Sequence, residues 1–352
     1  WSASGARDAF FLEAEELSPN GQITTQTKSL GADGRDAGWV SGRKLTFKKA
    51  SSGSHLRFTW GTNLRVRAKN NSGGAWCNWE LRVDGKSCGN PSKIGVSMHA
   101  MNNDNDHIPV EVVGWCRSIG AGTRNLQVYV SQGSGNSDCY TGWSTHDYME
   151  AWEPTAAEQA TMSYLQRVGT DNGSDQSSNV LSLQFTKKKG NTHTRILYYD
   201  NLRVYGSNKW CRWEVKVDGK SCAAPLAGSI YTKVNDNDHY PASIVGECPG
   251  IGAGSHTLTV AITRGSGSDC HTGWTPGPRV MHALLEVQEG RPDANAGGGG
   301  GGQPAGKRGK LSAFRLTMKN DSNSADQATA LPKRQLSFKK KMSGSVMKMT
   351  YA

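Results

Sequence analysis

The 352-residue chain carries 41 Lys and Arg against 30 Asp and Glu, for a formal charge of +11, with 36% hydrophobic residues and 43 glycines. That length suggests two or three domains, and the composition leaves apolar material for modest cores but little for a large helical one. No apolar run approaches the roughly 18 residues of a membrane-spanning helix. No signal peptide is recognisable, and a chain opening on Trp1 reads as a processed or partial piece of a longer precursor.

Residues 1–17 (WSASGARDAFFLEAEEL) read as a closing strand, because they align with WSTHDYMEAWEP at 143–154 and WTPGPRVMHALLEVQE at 274–289. A polar stretch, 18–42, reads as a linker. The first whole repeat, 43–153, contains LTFKKASSGSHLRFTWGTNLRV (45–66), CNWELRVDGKSC (77–88), NDNDH (103–107) and SIGAGTRNLQVYVSQGSGNSDCYTGW (118–143). After a second polar linker, 154–180, the same blocks return in order within 181–289. They are LQFTKKKGNTHTRILYYDNLRV (183–204), CRWEVKVDGKSC (211–222), NDNDH (235–239) and GIGAGSHTLTVAITRGSGSDCHTGW (250–274). A Gly-rich linker, 290–332, leads to 333–352, where QLSFKKKMSGSVMKMTYA (335–352) repeats an opening hairpin. Short alternating runs of Val, Ile, Thr, Tyr and Trp between turn residues read as strands. Self-similarity at this period makes the chain a repeat protein. The fold class expected is all-β, with tandem sandwiches joined by polar, Gly-rich linkers.

The eight cysteines fall into two sets of four at matching spacings: 77, 88, 116 and 139, then 211, 222, 248 and 270. None forms a CxxC pair and no His lies at zinc-finger spacing, so the sets read as disulfide frameworks of a secreted or cell-surface protein. Asp84-Gly85 and Asp218-Gly219 are type I′ turn signals. Trp79, Leu81 and Val83 alternate with charged residues, as do Trp213, Val215 and Val217, giving each strand one apolar and one charged face. A two-residue turn sets Leu81 opposite Cys88, leaving Cys77 about 13 Å away at strand rise. A disulfide needs Cα atoms within about 7 Å. Cys77 and Cys88 therefore do not bond each other, and each reaches a later cysteine. Trp79, Trp143, Trp213 and Trp274 are expected to be partly buried.

The order FxKK…LR, Cys-x-Trp, Asp-Gly-Lys-x-Cys, Cys-x-x-Ile-Gly-Ala-Gly, Asp-Cys, Thr-Gly-Trp and a final acidic strand resembles the C-terminal domain of the collagen triple helix repeat-containing protein family. The resemblance spans 43–153 and 181–289, with fragments at both ends. It implies a jelly-roll sandwich of the complement and tumour-necrosis-factor type, residence outside the cell, and no catalytic residues. No Gly-X-Y collagen segment is present. A jelly-roll arrangement implies the pairings Cys77–Cys116 and Cys88–Cys139, then Cys211–Cys248 and Cys222–Cys270.

Other motifs are weaker. Asp104, Asp106, Asp236 and Asp238 in the NDNDH runs are calcium candidates, but the six or seven oxygen ligands at recognisable spacing are missing. A polar turn packed by His107 or His239 is the favoured reading, and no metal or other cofactor is expected. The glycine-rich segments lack the Lys-Ser/Thr of a phosphate loop. No GxSxG, HExxH or usable carboxylate pair appears, so an enzyme is not expected. The lysine runs at 48–49, 187–189 and 339–341 read as protection of sheet edges rather than a nucleic-acid surface, with acidic polysaccharide a middle possibility. Sequons at Asn70, Asn172 and Asn320 are candidate N-glycosylation sites in loops or linkers.

These features favour a structural subunit of an extracellular fibre, surface appendage or matrix, partnered by further copies of itself. A secreted module binding a receptor or polysaccharide is the alternative. At the chain ends, Phe10, Phe11 and Leu12, with Leu336, Phe338, Met347, Met349 and Tyr351, lack a core. Two explanations stand: a slice of a longer repeat chain, or strands that pair between copies.

Overall fold

Alternating sequence becomes strand throughout the computed structural model. It describes residues 9–17, 23–29, 37–69, 74–100, 107–133, 137–142, 146–169, 181–233, 239–274, 281–292, 312–317 and 346–351. The first strand is β1 (Ala9–Leu17). Repeat 1 comprises β2 (Ile23–Ser29), β3 (Gly38–Lys49), β4 (Leu56–Ala68), β5 (Ala75–Val83), β6 (Lys86–Ser87), β7 (Ile94–Ala100), β8 (Ile108–Cys116), β9 (Gly122–Gln132), β10 (Ser137–Thr141) and β11 (His146–Trp152). A single turn of helix, α1 (Ala156–Gln159), follows. Repeat 2 comprises β12 (Met162–Val168), β13 (Ser182–Lys187), β14 (Thr192–Tyr205), β15 (Lys209–Val217), β16 (Lys220–Thr232), β17 (Tyr240–Glu247), β18 (Gly254–Arg264), β19 (Asp269–Thr272) and β20 (His282–Pro292). Last come β21 (Ser312–Thr317) and β22 (Val346–Tyr351).

Each repeat is a sandwich of two antiparallel sheets. In repeat 1, β4 pairs with β8 along one edge and with β11 and β10 along the other, and β2 adds outside β11. The facing sheet runs β3-β9-β5, with β7 and the short β6 beyond β5. Repeat 2 copies this plan: β14 holds β17 on one side and β20 and β19 on the other, β12 lies outside β20, and the facing sheet is β13-β18-β15-β16. Side chains alternate across each strand, so Phe58, Trp60, Trp79, Leu81 and Val128 fill one core, and Tyr198, Trp213, Val215, Val260 and Leu285 the other. Trp79 and Trp213 are fully buried, and Trp143 lies outside the described residues. Asp84 and Gly85 have φ of 48° and 79°, Asp218 and Gly219 51° and 74°, as a type I′ turn requires.

The sandwiches extend beyond the expected repeat boundaries. Segments 18–42 and 154–180 are not linkers throughout. Each supplies a strand, β2 or β12, that pairs with the closing strand β11 or β20 of the sandwich that follows it. Strand β2 (ITTQTKS) has one strongly apolar residue and is concealed by its polarity, whereas β12 (MSYLQRV) packs Met162, Tyr164 and Leu165 against the cores. Within 290–332, β21 plays the same part beside β1.

The disulfides correct the expected pairing. Cys77 bonds Cys139 and Cys88 bonds Cys116, and in repeat 2 Cys211 bonds Cys270 and Cys222 bonds Cys248. The expectation placed β5 beside β8. In the fold β5 lies between β9 and β7, and β8 belongs to the opposite sheet. The regular hairpin sends Cys77 and Cys88 to opposite ends of β5, as inferred. Cys77 then meets Cys139 across the sandwich, while the end of β8 comes beside Pro91, near Cys88.

The strands β1 and β22 meet within one chain, Leu12 opposite Tyr351 and Glu13 opposite Thr350. The order β21-β1-β22 matches β2-β11-β4 and β12-β20-β14. One lysine in each of two basic runs is also not an edge guard. Lys49 and Lys187 are buried and donate to turn carbonyls, Lys49 to Ser54 O at 2.8 Å and Lys187 to Ile251 O at 2.9 Å.

Candidate functional site at the junction of the two sandwiches

Strands β14 and β20 are apolar on both faces, which marks burial on both. Ile196, Tyr198 and Leu285 enter the core of repeat 2. Leu197, Tyr199 and Leu284 point the other way, and with Val245 and Met281 they belong to the core of repeat 1. The outward face of one sandwich is thus built into the other, over strands β7 and β8.

Polar groups at the junction take up the backbone of those two strands. His282 is fully buried. Its Nδ1 lies 3.1 Å from Gly95 N and 3.0 Å from Gly95 O, and its Nε2 lies 2.6 Å from Val113 O. A neutral ring with its proton on Nε2 accepts from Gly95 N and donates to Val113 O. Burial depresses its pKa from 6.5 to about 4, against the raising effect of its backbone partners. Asn201 donates to Ser97 O at 2.6 Å. Gln166 accepts from Trp115 N at 2.6 Å and donates to Trp115 O at 3.1 Å, extending an edge that β8 leaves open. Tyr164 stacks on Trp115 at 4.6 Å. At Gly114 a β-carbon would lie 2.7 Å from Ile94 and 3.0 Å from His282, so only glycine permits this approach.

A buried charge cluster sits beside these groups. Arg57 Nε donates to Glu286 at 3.0 Å, and Trp115 Nε1 donates to the same oxygen at 2.6 Å. Arg57 also lies 3.8 Å from Glu150 of its own repeat, and Arg195 3.8 Å from Glu286. Burial alone would raise the Glu286 pKa, but Arg57 and Arg195 outweigh it and hold the carboxyl below its ordinary value. Separating the two units would break the Arg57–Glu286 pair and expose Leu197, Tyr199 and Leu284 to water, so the junction is held by apolar burial as well as charge.

Among the described residues, no group of three or more His, Cys, Asp or Glu side chains is placed to hold a metal ion. The calcium candidates Asp104, Asp106, Asp236 and Asp238, and the sequons Asn70, Asn172 and Asn320, lie outside the described residues. So do Leu336 and Phe338, and the side chains of Phe10, Phe11, Leu12, Met347, Met349 and Tyr351. His239, expected to pack a turn, is buried and stacks on Trp274 at 4.2 Å. The junction residues were not anticipated, although the two-sided apolar runs TRILYY and HALLEV carry the signal.

A family model described as "CTHRC1, C-terminal domain" matches residues 26–148 and 166–281, more than half of the chain. Both segments begin inside the strands β2 and β12. Among solved structures, recombinant N-glycanase F (PNGase F) is similar at 8% identity and TM-score 0.35, covering 76% of this chain and 96% of that one. PNGF-II is similar at 8% identity and TM-score 0.32, covering 79% and 67%. A tandem CBM22 domain from Paenibacillus barcinonensis Xyn10C gives 11% identity and TM-score 0.19, covering 82% and 99%. Likenesses this distant carry no argument about activity.

Proposed function

The chain belongs to the family of the CTHRC1 C-terminal domain, and from that premise we propose that it is a non-enzymatic structural subunit of an extracellular fibre, surface appendage or matrix. The observation that carries this reading is the junction: repeat 2 fills the core of repeat 1 with Leu197, Tyr199 and Leu284 and ties to it through Arg57 and Glu286. Four disulfides support an oxidising, extracellular setting. In this reading the protein's partners are further copies of itself, and its sequons carry N-linked glycans. Negative-stain microscopy of native material tests it. Regular filaments or sheets are expected, and dispersed single particles at all concentrations would count against it.

A second reading rests on a separate observation. Trp39 is 46% exposed and packs edge-on to Tyr129 at 5.1 Å, with the Arg82 guanidinium 3.8 Å above the Tyr129 ring. An aromatic surface beside a cation suits an acidic polysaccharide. Glycan-array binding lost in Trp39→Ala would favour this module over the fibre.

A further inference from the structure

The outward face of the sheet β3-β9-β5 carries an aromatic pair that the sandwich itself does not need. Trp39 lies opposite Tyr129, and Tyr129 opposite Glu80. On the corresponding rung of repeat 2, Glu214 lies opposite Ala261, and that sheet pairs β18 with β15 as repeat 1 pairs β9 with β5. Trp39 reaches its place through a slip in register. It lies opposite Tyr129 while Lys44 lies opposite Gln127, so residues 40–43 face Val128 alone. The slip is anchored from within. Val40 turns into the core, and Arg43 donates to Thr141 O at 2.7 Å and to Asp147 at 2.9 Å. The indole is left outside, 3.9 Å from where a β-carbon on Gly85 would lie. A single exposed tryptophan is ordinary, but one anchored against a second ring and a cation is a built surface.

The charges on this face divide into two kinds. Arg82 is held: its Nε donates to Glu80 at 2.8 Å, its Nη2 lies 2.7 Å from the same oxygen, and its flat face covers the Tyr129 ring. Glu80 is buried, so Arg82 cannot turn its fork to an outside anion without stranding a buried carboxylate. Asp84, at the hairpin turn, pairs with Arg124 at 3.1 Å. Lys44, beside the aromatic rung, and Lys86, just after the turn that Trp39 approaches, are exposed. Lys44, Lys48, Arg82, Lys86 and Arg124 outnumber the carboxylates Glu80 and Asp84, so the face attracts anions.

We propose that this face of repeat 1 binds a linear acidic polysaccharide with a division of labour. Trp39 stacks on the apolar face of a sugar ring. Lys44 and Lys86, mobile point charges, take the carboxylate or sulfate groups on either side. Arg82 touches no acid group of the ligand and is a positioning residue that holds Tyr129 against Trp39. The assignment rests on the binding-module reading and deepens it, by naming which cations read the acid groups.

The test titrates the full oxidised chain with hyaluronan, chondroitin sulfate and neutral dextran fragments of matched length across a salt series. Hyaluronan separates carboxylate from sulfate as the acid group. Both acidic fragments, or one of them, should bind, and dextran far more weakly. Trp39→Ala should weaken binding by about tenfold or more without changing its salt dependence, and Trp39→Phe should restore most of it. The double variant Lys44→Gln, Lys86→Gln should flatten the salt dependence, because fewer charge contacts are made. Arg82→Lys should weaken binding and leave the salt dependence as it was, which a direct acid contact would not do. Thermal melting confirms that each variant is folded. If the lysine variant keeps the salt dependence, or Arg82→Lys loses it, the division of labour is wrong while the binding module stands. Dextran binding as tightly as the acidic fragments would overturn acid recognition. Failure of every fragment to bind, or binding indifferent to Trp39→Ala, would sink the binding-module reading itself.

Discussion

Arg57 of the first sandwich and Glu286 of the second form a buried ion pair at 3.0 Å across the junction. Neither has bulk water to fall back on, so removing one leaves the other desolvated. Arg57→Met should destabilise the chain by about 3–5 kcal/mol, the usual cost of breaking a buried pair. The double variant with Glu286→Gln should lose less than the sum of the two singles. Urea unfolding followed by tryptophan fluorescence measures this, and strict additivity would show that the pair does not couple the repeats.

Acid should loosen the same junction. His282 is neutral in the fold, with a pKa lowered from 6.5 to about 4 by burial. The unfolded state binds the proton more readily, so stability is complete above pH 6.5 and is lost as pH falls toward 4. A shift of this size corresponds to about 3 kcal/mol. His239, lowered to about 2 by burial and nearby cations, acts in the same direction. Glu286, held below its ordinary value by Arg57 and Arg195 against burial, keeps its charge to lower pH than an ordinary glutamate. The midpoint of thermal unfolding should therefore drop between pH 6.5 and 4, and His282→Gln should flatten the slope. A slope unchanged in that variant would assign the acid response elsewhere.

The two bridges of repeat 1 enclose different loops, 62 residues for Cys77–Cys139 and 28 for Cys88–Cys116. In the chain-entropy model each restricts the unfolded chain by about 4 kcal/mol, with the longer loop slightly ahead. Replacing either pair with serine should lower stability by that order, and replacing one cysteine alone should add misbridged species. A non-reduced peptide map is the direct check, and a Cys77–Cys116 peptide would contradict the fold.

Much of the fold was legible because its signals are local. Asp84-Gly85 and Asp218-Gly219 set the hairpins, and alternation around Trp79 and Trp213 set their faces. What was not legible depends on which strands become neighbours. The cysteine pairing failed because strand order, not spacing, decides whether Cys116 meets Cys77 or Cys88. Strand β2 was missed because ITTQTKS is polar and gains its pairing from β11, whereas β12, MSYLQRV, carried an apolar signal in Met162, Tyr164 and Leu165 that its polar flanks masked. The junction was missed for a different reason. Leu197 and Leu284 look like ordinary strand residues until both faces of their strands are counted together.

The boundaries of repeat 2 can be tested by truncation. Residues 181–289 contain every repeated motif but omit β12. That removal strips the outer edge of β20 of the pairing that runs from Met162–Gln288 to Val168–His282. It also removes Gln166 and Tyr164, while Leu197, Tyr199 and Leu284 face water for lack of repeat 1. A piece spanning 162–292 keeps the edge strand and exposes only the junction face. Refolded under oxidising conditions, 162–292 should melt cooperatively, and 181–289 should melt lower or aggregate, because an open edge beside an apolar face invites pairing between molecules. Size-exclusion chromatography and circular dichroism report both properties. Equal stability of the two pieces would mean that β12 is held by the sandwich without supporting it, and that 154–180 is a linker after all in energetic terms.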